Sequence, residues 1–535
     1  MPKAVIRSIH AGVHDENHRL RRLIPAWIIS GFVHLVLLLL FVLIGSPGGA
    51  SGQENAQDSE SAVIETQMEG DAPPPNLDND EIGFDPEVAT NYNVTRIDEI
   101  SVPGAVNENE QVGIENASPD VNPQTLPPPA GLGGMGTGAG IRDPNREGLG
   151  STIGTAGGYV GGFSLRNAFL GRSGATRQQM LTEGGGNTAT EAAVAAGTKW
   201  LVNHQFSDGH WDLNQINQAG KCQCTHTGKC GPSYAPEIAG TAFGLLPLLG
   251  AGVTHKVSND KSVSDKVKNV DRGLKYLIQN QNAQGYFGGG MYTHGLASIV
   301  LCEAYGVTSD PALKGPAQRA INFIVNCQNN LGGWRYGPGS QDVDISVAGW
   351  QYQALKSAQM AGLEVPRKTL DAFVKWLDSD CTPDGSQYGY MNPSQLGPAR
   401  TAIGLLCREY SGWGVRTPGL IEGIRYMSTQ YPPPASPSMK IAPNEMYYYY
   451  YATQVVHHVG GPTWDQWNVK MRDFLVEQQD KGDQNPHQKG SFWVSPNNHS
   501  SHAGGRLMET SLCVLTLEVY YRHLPLYRRE TNAIK

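Results

Sequence analysis

From about Thr188 onward the chain alternates two kinds of apolar segment. The first kind carries an aromatic near its middle and runs into a polar turn rich in Gly, Asp and Gln, which often ends in a second aromatic. GTKWLVNHQFSDGHW (Gly197 to Trp211), GLKYLIQNQNAQGYF (Gly273 to Phe287) and AINFIVNCQNNLGGW (Ala320 to Trp334) show it most clearly. The matched aromatics are Trp200, Tyr276, Phe323, Trp376, Tyr426 and Phe474, at intervals of 76, 47, 53, 50 and 48 residues. The second kind is more apolar: Ala239–Gly252, Thr293–Gly306, Ser346–Gly362, Ala399–Tyr410, Met446–Gly460 and Met508–Leu524. Leucines and small residues recur in it at spacings of three and four, as a packed helix face requires. Thr188 followed by Glu191 reads as a capping box for the first helix.

Six helical hairpins at a period near 50 residues predict a repeat architecture. An open solenoid needs polar outer faces on its end repeats. Here Leu512 to Tyr521, in the last repeat, is as apolar as the middle repeats. The pattern therefore predicts closure: an all-α fold, a single (α/α)6 toroid over 188–535, with the apolar second helices as an inner ring. Insertions at 212–238 and 431–445, and a shorter loop at 481–507, are expected to crowd one rim, which would be the functional one.

The region before the repeats reads differently. Ile24 to Ile44 hold no charged side chain, and a helix of that length spans roughly 30 Å of hydrocarbon. Lys3, Arg7, Arg19, Arg21 and Arg22 precede it, while residues 46–95 hold eleven acidic residues and no Lys or Arg. By the positive-inside rule this predicts a cytoplasmic segment (1–22), a transmembrane signal anchor (23–45) and an exported, periplasmic main domain. A cleaved signal peptide is the alternative, because Ser46 to Ala50 are small. Residues 46–162, acidic and then glycine-rich, read as a disordered linker, and 163–187 as a lead segment.

Composition adds little to this. Charged residues make up 17% of the 535 and the net charge is −8. There is no basic run, so no nucleic-acid partner is expected. The chain has 8 cysteines, too few for a disulfide-built scaffold of this size. Cys222, Cys224, His226 and Cys230 fall within nine residues and have the ligand types of a tetrahedral structural zinc site. A disulfide among the three cysteines and free thiols are the other readings. Tyr447 to Tyr451 form an uninterrupted run, most of it expected in the core, and His499 and His502 lie i, i+3 apart. Neither a GxSxG elbow nor an HExxH pair is present.

The turns that end in aromatics, together with GGWRYGPGSQDVDISVAGWQYQALKSAQMAGL (Gly332 to Leu363), resemble those of the squalene–hopene cyclase and protein prenyltransferase β-subunit superfamily. The whole layout is similar to membrane-anchored repeat proteins of planctomycete bacteria. The resemblance spans 188–525 and implies an α/α toroid. It also implies two chemistries. The cyclase acid motif Asp-x-Asp-Asp is represented by Asp342-Val343-Asp344-Ile345, with the last carboxylate missing, so Asp342 or Asp344 would be the acid; the plainer role for Asp344 is a helix cap. The prenyltransferase zinc positions are represented by Asn444, Met446 and Glu509, a poor ligand set. Three functional readings follow. The first is a membrane-anchored binding or scaffold domain that takes a protein, glycan or lipid at its rim or pore. The second is a terpenoid cyclase-like isomerase using Asp342 and Asp344. The third is a polysaccharide-degrading enzyme, for which a carboxylate pair would be needed and none is evident from spacing.

Overall fold

The computed structural model describes residues 169–219, 224, 236–258, 261–436, 445–492 and 499–522. Among them are thirteen α-helices of eleven residues or more and no β-strand. A lead helix, α1 (Gly174–Gly184), precedes six hairpins. The outer helices are α2 (Thr188–Asn203), α4 (Val267–Gln279), α6 (Pro311–Asn326), α8 (Arg367–Ser379), α10 (Pro418–Gln430) and α12 (Gly461–Gln478). The inner helices are α3 (Pro236–Gly250), α5 (Gly290–Thr308), α7 (Ile345–Met360), α9 (Pro398–Ser411), α11 (Glu445–Val459) and α13 (His499–Leu517). Each inner helix packs on the next, from α3 to α13, and α13 packs back on α3. Ser511 of α13 donates to the carbonyl of Phe243 in α3 at 2.8 Å across that last junction. The ring is closed, as the toroid expectation required.

The inner helices are buried nearly all round. On α7 every residue from Ile345 to Ala358 is buried, and Leu245, Leu301 and Leu405 are fully inaccessible. Tyr447 to Tyr451 are all core. The outer helices bury a single face; on α4 this face is Val270, Gly273, Leu274 and Leu277.

The polar turns are held by a repeated side-chain rivet. Gln205, Gln281, Gln328 and Gln479 each stand just past an outer helix. Each donates through Nε2 to the carbonyl of a turn glycine and to a carbonyl in the next outer helix or at its start. For Gln328 these acceptors are Gly332 at 2.7 Å and Thr369 at 2.8 Å. Gly332 has φ +101°, a conformation that favours glycine, and a Cβ there would collide with the carbonyl of Ala372. Trp211 and Trp334 then donate their indole N–H to Leu201 and Ile324 of the preceding outer helix, at 2.7 and 2.8 Å. These side chains of the turn thus join one hairpin to the next.

Two local expectations are corrected. The first-helix cap is Asn187, not Thr188: its side chain accepts from Ala189 and Thr190, and Thr190 closes the capping box. Glu191 instead pairs with Arg177 at 2.7 Å. The membrane assignment is corrected as well. Among the described residues no helix is long and apolar enough to cross a bilayer. The apolar helices found here are satisfied by ring neighbours, and several carry buried ionisable groups such as Glu303 and Glu409. The residues named for the anchor (23–45), the linker (46–162) and the start of the lead segment lie outside the described ones. A single-pass membrane protein with a membrane partner and a periplasmic main domain therefore does not stand as a finding.

Candidate functional site

Because the hairpins all point one way, the C-terminal ends of outer helices and the N-terminal ends of inner helices share one rim. The opposite mouth is filled. Arg172, just before α1, is fully buried there and pairs with Glu303 near the end of α5 at 2.9 Å. It also donates to the carbonyls of Leu249 and Arg522. Arg522 pairs with Glu303 at 3.1 Å and donates to the Tyr450 hydroxyl. Glu518 and the Glu409–His458 pair (2.9 Å) complete the plug. Burial holds the Glu409 and Glu518 carboxyls far above the ordinary range and takes His458 down to about 3. Burial thus pushes both partners of the Glu409–His458 contact toward their neutral forms.

The open rim carries the candidate site. In the chain, the two insertions and the shorter loop precede α3, α11 and α13, whose starts lie on it. Across the rim from them, the starts of α5 and α7 are set by backbone bonds from Met291 to the Tyr336 carbonyl (2.7 Å), Asp344 to the Trp334 carbonyl (3.1 Å) and Ile345 to the Tyr390 carbonyl (3.1 Å). These bonds seat Tyr336 and Tyr390 above two helix N-termini. Their hydroxyls meet at 2.5 Å. Arg335 lies over the Tyr336 ring and Arg400 over the Tyr390 ring, at 5.2 and 5.4 Å.

Asp344 lies beneath them, fully buried, as the N-cap of α7. Its Oδ1 accepts from the Ser346 N–H at 2.8 Å, the Ser346 hydroxyl at 2.6 Å and the Val347 N–H at 3.4 Å. The Tyr292 hydroxyl donates in turn to Ser346. Burial raises the Asp344 carboxyl, against the lowering effect of Ser346, Tyr390 and Arg335. Asp342 is elsewhere: its side chain is 40% exposed and ion-paired with Arg335. The two motif carboxylates thus part company, one to a cap and one to the surface.

A carboxylate that the motif did not indicate joins Asp344 instead. Asp380, the C-cap of α8, is fully buried, and neither of its oxygens has a hydrogen-bond partner among the described residues. Burial and the neighbouring Asp344 charge push it up to about 8, with Arg400 opposing. Gly389 leaves room for it; a Cβ there would come 3.1 Å from Asp380 Oδ1. The repeat register could have pointed to this residue. His204, Asn280, Cys327 and Asp380 all occupy the C-cap of an outer helix, so the outer-helix C-caps bring a series of polar side chains to this rim.

The zinc expectation is corrected. Among the described residues no group of three or more His, Cys, Asp or Glu could hold a metal. Cys222, His226 and Cys230 lie outside the described residues. Cys224 is buried, and its sulfur lies 3.1 Å from His204 Nε2 and 3.3 Å from the His487 carbonyl. The side chains of His499 and His502 also lie outside the described ones.

No protein-family model matches the chain, and no curated protein does. Several solved structures show a likeness. The alpha-1,6-mannanase GH76A of Salegentibacter sp. HEL1_6 is 12% identical over 62% of this chain and 98% of its own, with a TM-score of 0.43. A variant of the type II terpene cyclase MstE from Scytonema is 14% identical over 64% and 97%, at 0.39. An alpha-amylase from Clostridium perfringens is 9% identical over 62% and 98%, at 0.41. At these values the likenesses assign neither family nor activity. What stands of the resemblance to cyclases and prenyltransferases is the ring of helical hairpins itself.

Proposed function

We propose that the ring is a binding module and that its insertion-bearing rim takes a polar ligand of the glycan class. The observation that carries this reading is the division of the two mouths. One is filled by the Arg172, Glu303 and Arg522 lattice, and the other presents half-exposed Tyr390, Arg335 and Asp342. Exposed aromatic faces stack on sugar rings, while carboxylates and guanidinium groups bond their hydroxyls. The cyclase reading loses ground because Oδ1 of Asp344 is occupied by its own helix turn and Asp342 faces solvent in an ion pair.

A second reading rests on Asp380. An unpartnered buried carboxyl raised by a neighbouring carboxylate is the environment of a proton-holding acid, so acid catalysis at an Asp344–Asp380 pair is the alternative. One experiment separates them: the full chain and its Tyr390→Ala variant on an oligosaccharide array, with squalene turnover followed in parallel. Binding to a defined oligosaccharide class, weakened at least about tenfold in the variant, with no cyclised product, is expected. Squalene conversion abolished by Asp380→Asn, without oligosaccharide binding, overturns the binding reading.

A further inference from the structure

The outer wall of the ring is sealed unevenly. At five of the six junctions between outer helices, the intervening turn and the next outer helix are in close contact. Gly209, Gly285, Gly332 and Gly490 each lie so near a carbonyl of that helix that a Cβ would collide, and after α8 it is Gly423 of α10 that meets the Ser386 carbonyl. The sixth turn, after α10, begins Tyr431-Pro432-Pro433-Pro434 and holds neither a glycine nor a glutamine. It is tied inward instead: the Tyr448 and Tyr449 hydroxyls of α11 donate to the carbonyls of Tyr431 and Pro432, at 3.0 and 2.9 Å. Between α10 and α12 a cavity of about 460 Å³ remains.

Its two ends are unlike. Away from the rim, Val415, Ile421, Ile424 and Val459 line it, and Ile421 is 49% exposed. Toward the rim stand Arg425, Ser428 and Lys470. Ile421 and Ser428 are seven residues apart on α10, about 10 Å along the helix. Trp467 of α12 lies in the wall between the two ends; its indole N–H is already used by Thr453 at 3.0 Å, so it offers the cavity carbon alone. The polar groups are the reverse. The Ser428 hydroxyl oxygen is buried and has no hydrogen-bond partner among the described residues. Lys470 is exposed and enters no ion pair among them. Arg425 gives Nε and Nη2 to Glu422 and keeps Nη1. No carboxylate lines the cavity. Apolar walls with a few convergent polar groups, at a volume within the roughly 300–1,000 Å³ of small-molecule sites, describe a ligand pocket.

From this arrangement we infer that the slot between α10 and α12 binds an anionic amphiphile, a carboxylate on an alkyl chain. The chain lies along Ile421 and Ile424, where its burial supplies the apolar driving force. The two carboxylate oxygens meet the Lys470 ammonium and the Ser428 hydroxyl, one a free cation and the other an unused donor. The inference does not depend on the glycan reading, since it concerns the outer wall and not the rim.

The test is equilibrium dialysis of the full chain with radiolabelled dodecanoate, below its micelle concentration. Saturable binding of one dodecanoate per chain is expected. Octanoate, four methylenes shorter, should bind at least about tenfold more weakly. Dodecyltrimethylammonium, with the same chain and a cationic head, should not compete. Lys470→Gln with Arg425→Gln should weaken dodecanoate at least about tenfold. Ile421→Asp, which sets a charge at the apolar end, should do the same. All three positions are partly or largely open to solvent, so folding survives these changes, and oligosaccharide binding at the rim should be unaltered by them. Absence of saturable binding, or dodecanoate binding undiminished in both variants, overturns the site. Equal competition by dodecyltrimethylammonium overturns the anionic class of the ligand.

Discussion

Asp380 shows how a single side chain can carry an energetic cost that leaves a measurable trace. An aspartate in water titrates near 3.9. In the ring, burial and Asp344 raise it to about 8. The folded state therefore holds a proton that the unfolded state releases between these values, and stability falls as pH rises through that window. Asp380→Asn cannot titrate. The stability of the variant relative to the natural chain should climb between pH 5 and pH 8, by at most about 1.4 kcal/mol per pH unit. Urea unfolding across that range measures it, and a difference that stays constant with pH contradicts the assignment. At this scale the sequence was a partial guide. Asp344 stood in a recognisable motif, and its capping role was readable from the helix that follows. Asp380 carried no motif. Its importance comes from the second carboxyl that the fold sets beside it.

At the scale of elements, the turns add polar bonds between hairpins to the apolar faces that predict them. Gln328 bridges two carbonyls of different segments, and its removal takes away both bonds. Gln328→Ala should cost about 1–3 kcal/mol of unfolding free energy. The exposed Gln341, which bonds only the nearby Gly339 carbonyl, should tolerate the same change within about 0.5 kcal/mol. Equal effects at the two positions in urea unfolding would show that the rivet does not hold the turn. The helices themselves were legible because their apolar spacing is regular, and the repeated Gln, Gly and aromatic residues marked where each turn falls. The first cap slipped by one residue. Thr188, Thr190 and Asn187 are all capable donors or acceptors, and tertiary placement decides which of them stands at the end of the helix.

Closure is the property of the whole ring from which the two unlike mouths follow. It was legible in the apolar character of the last repeat, which needed a partner other than water. The plug was not legible: Arg172 and Glu303 are far apart in the chain, and charged residues are ordinarily read as solvated. Their burial becomes intelligible only once α5, α13 and the segment before α1 meet at one end of the bore. Rim and plug together make the open mouth the place where ligands enter. The most direct test of the closed ring is native-state hydrogen exchange on the full chain, comparing amides of α3 and α13 with those of α7. A closed ring has no terminal inner helix, so the three should be protected alike, opening together with the global unfolding free energy. An open array would fray from its ends, and exchange in α3 and α13 that is faster than in α7 by more than about tenfold would contradict closure.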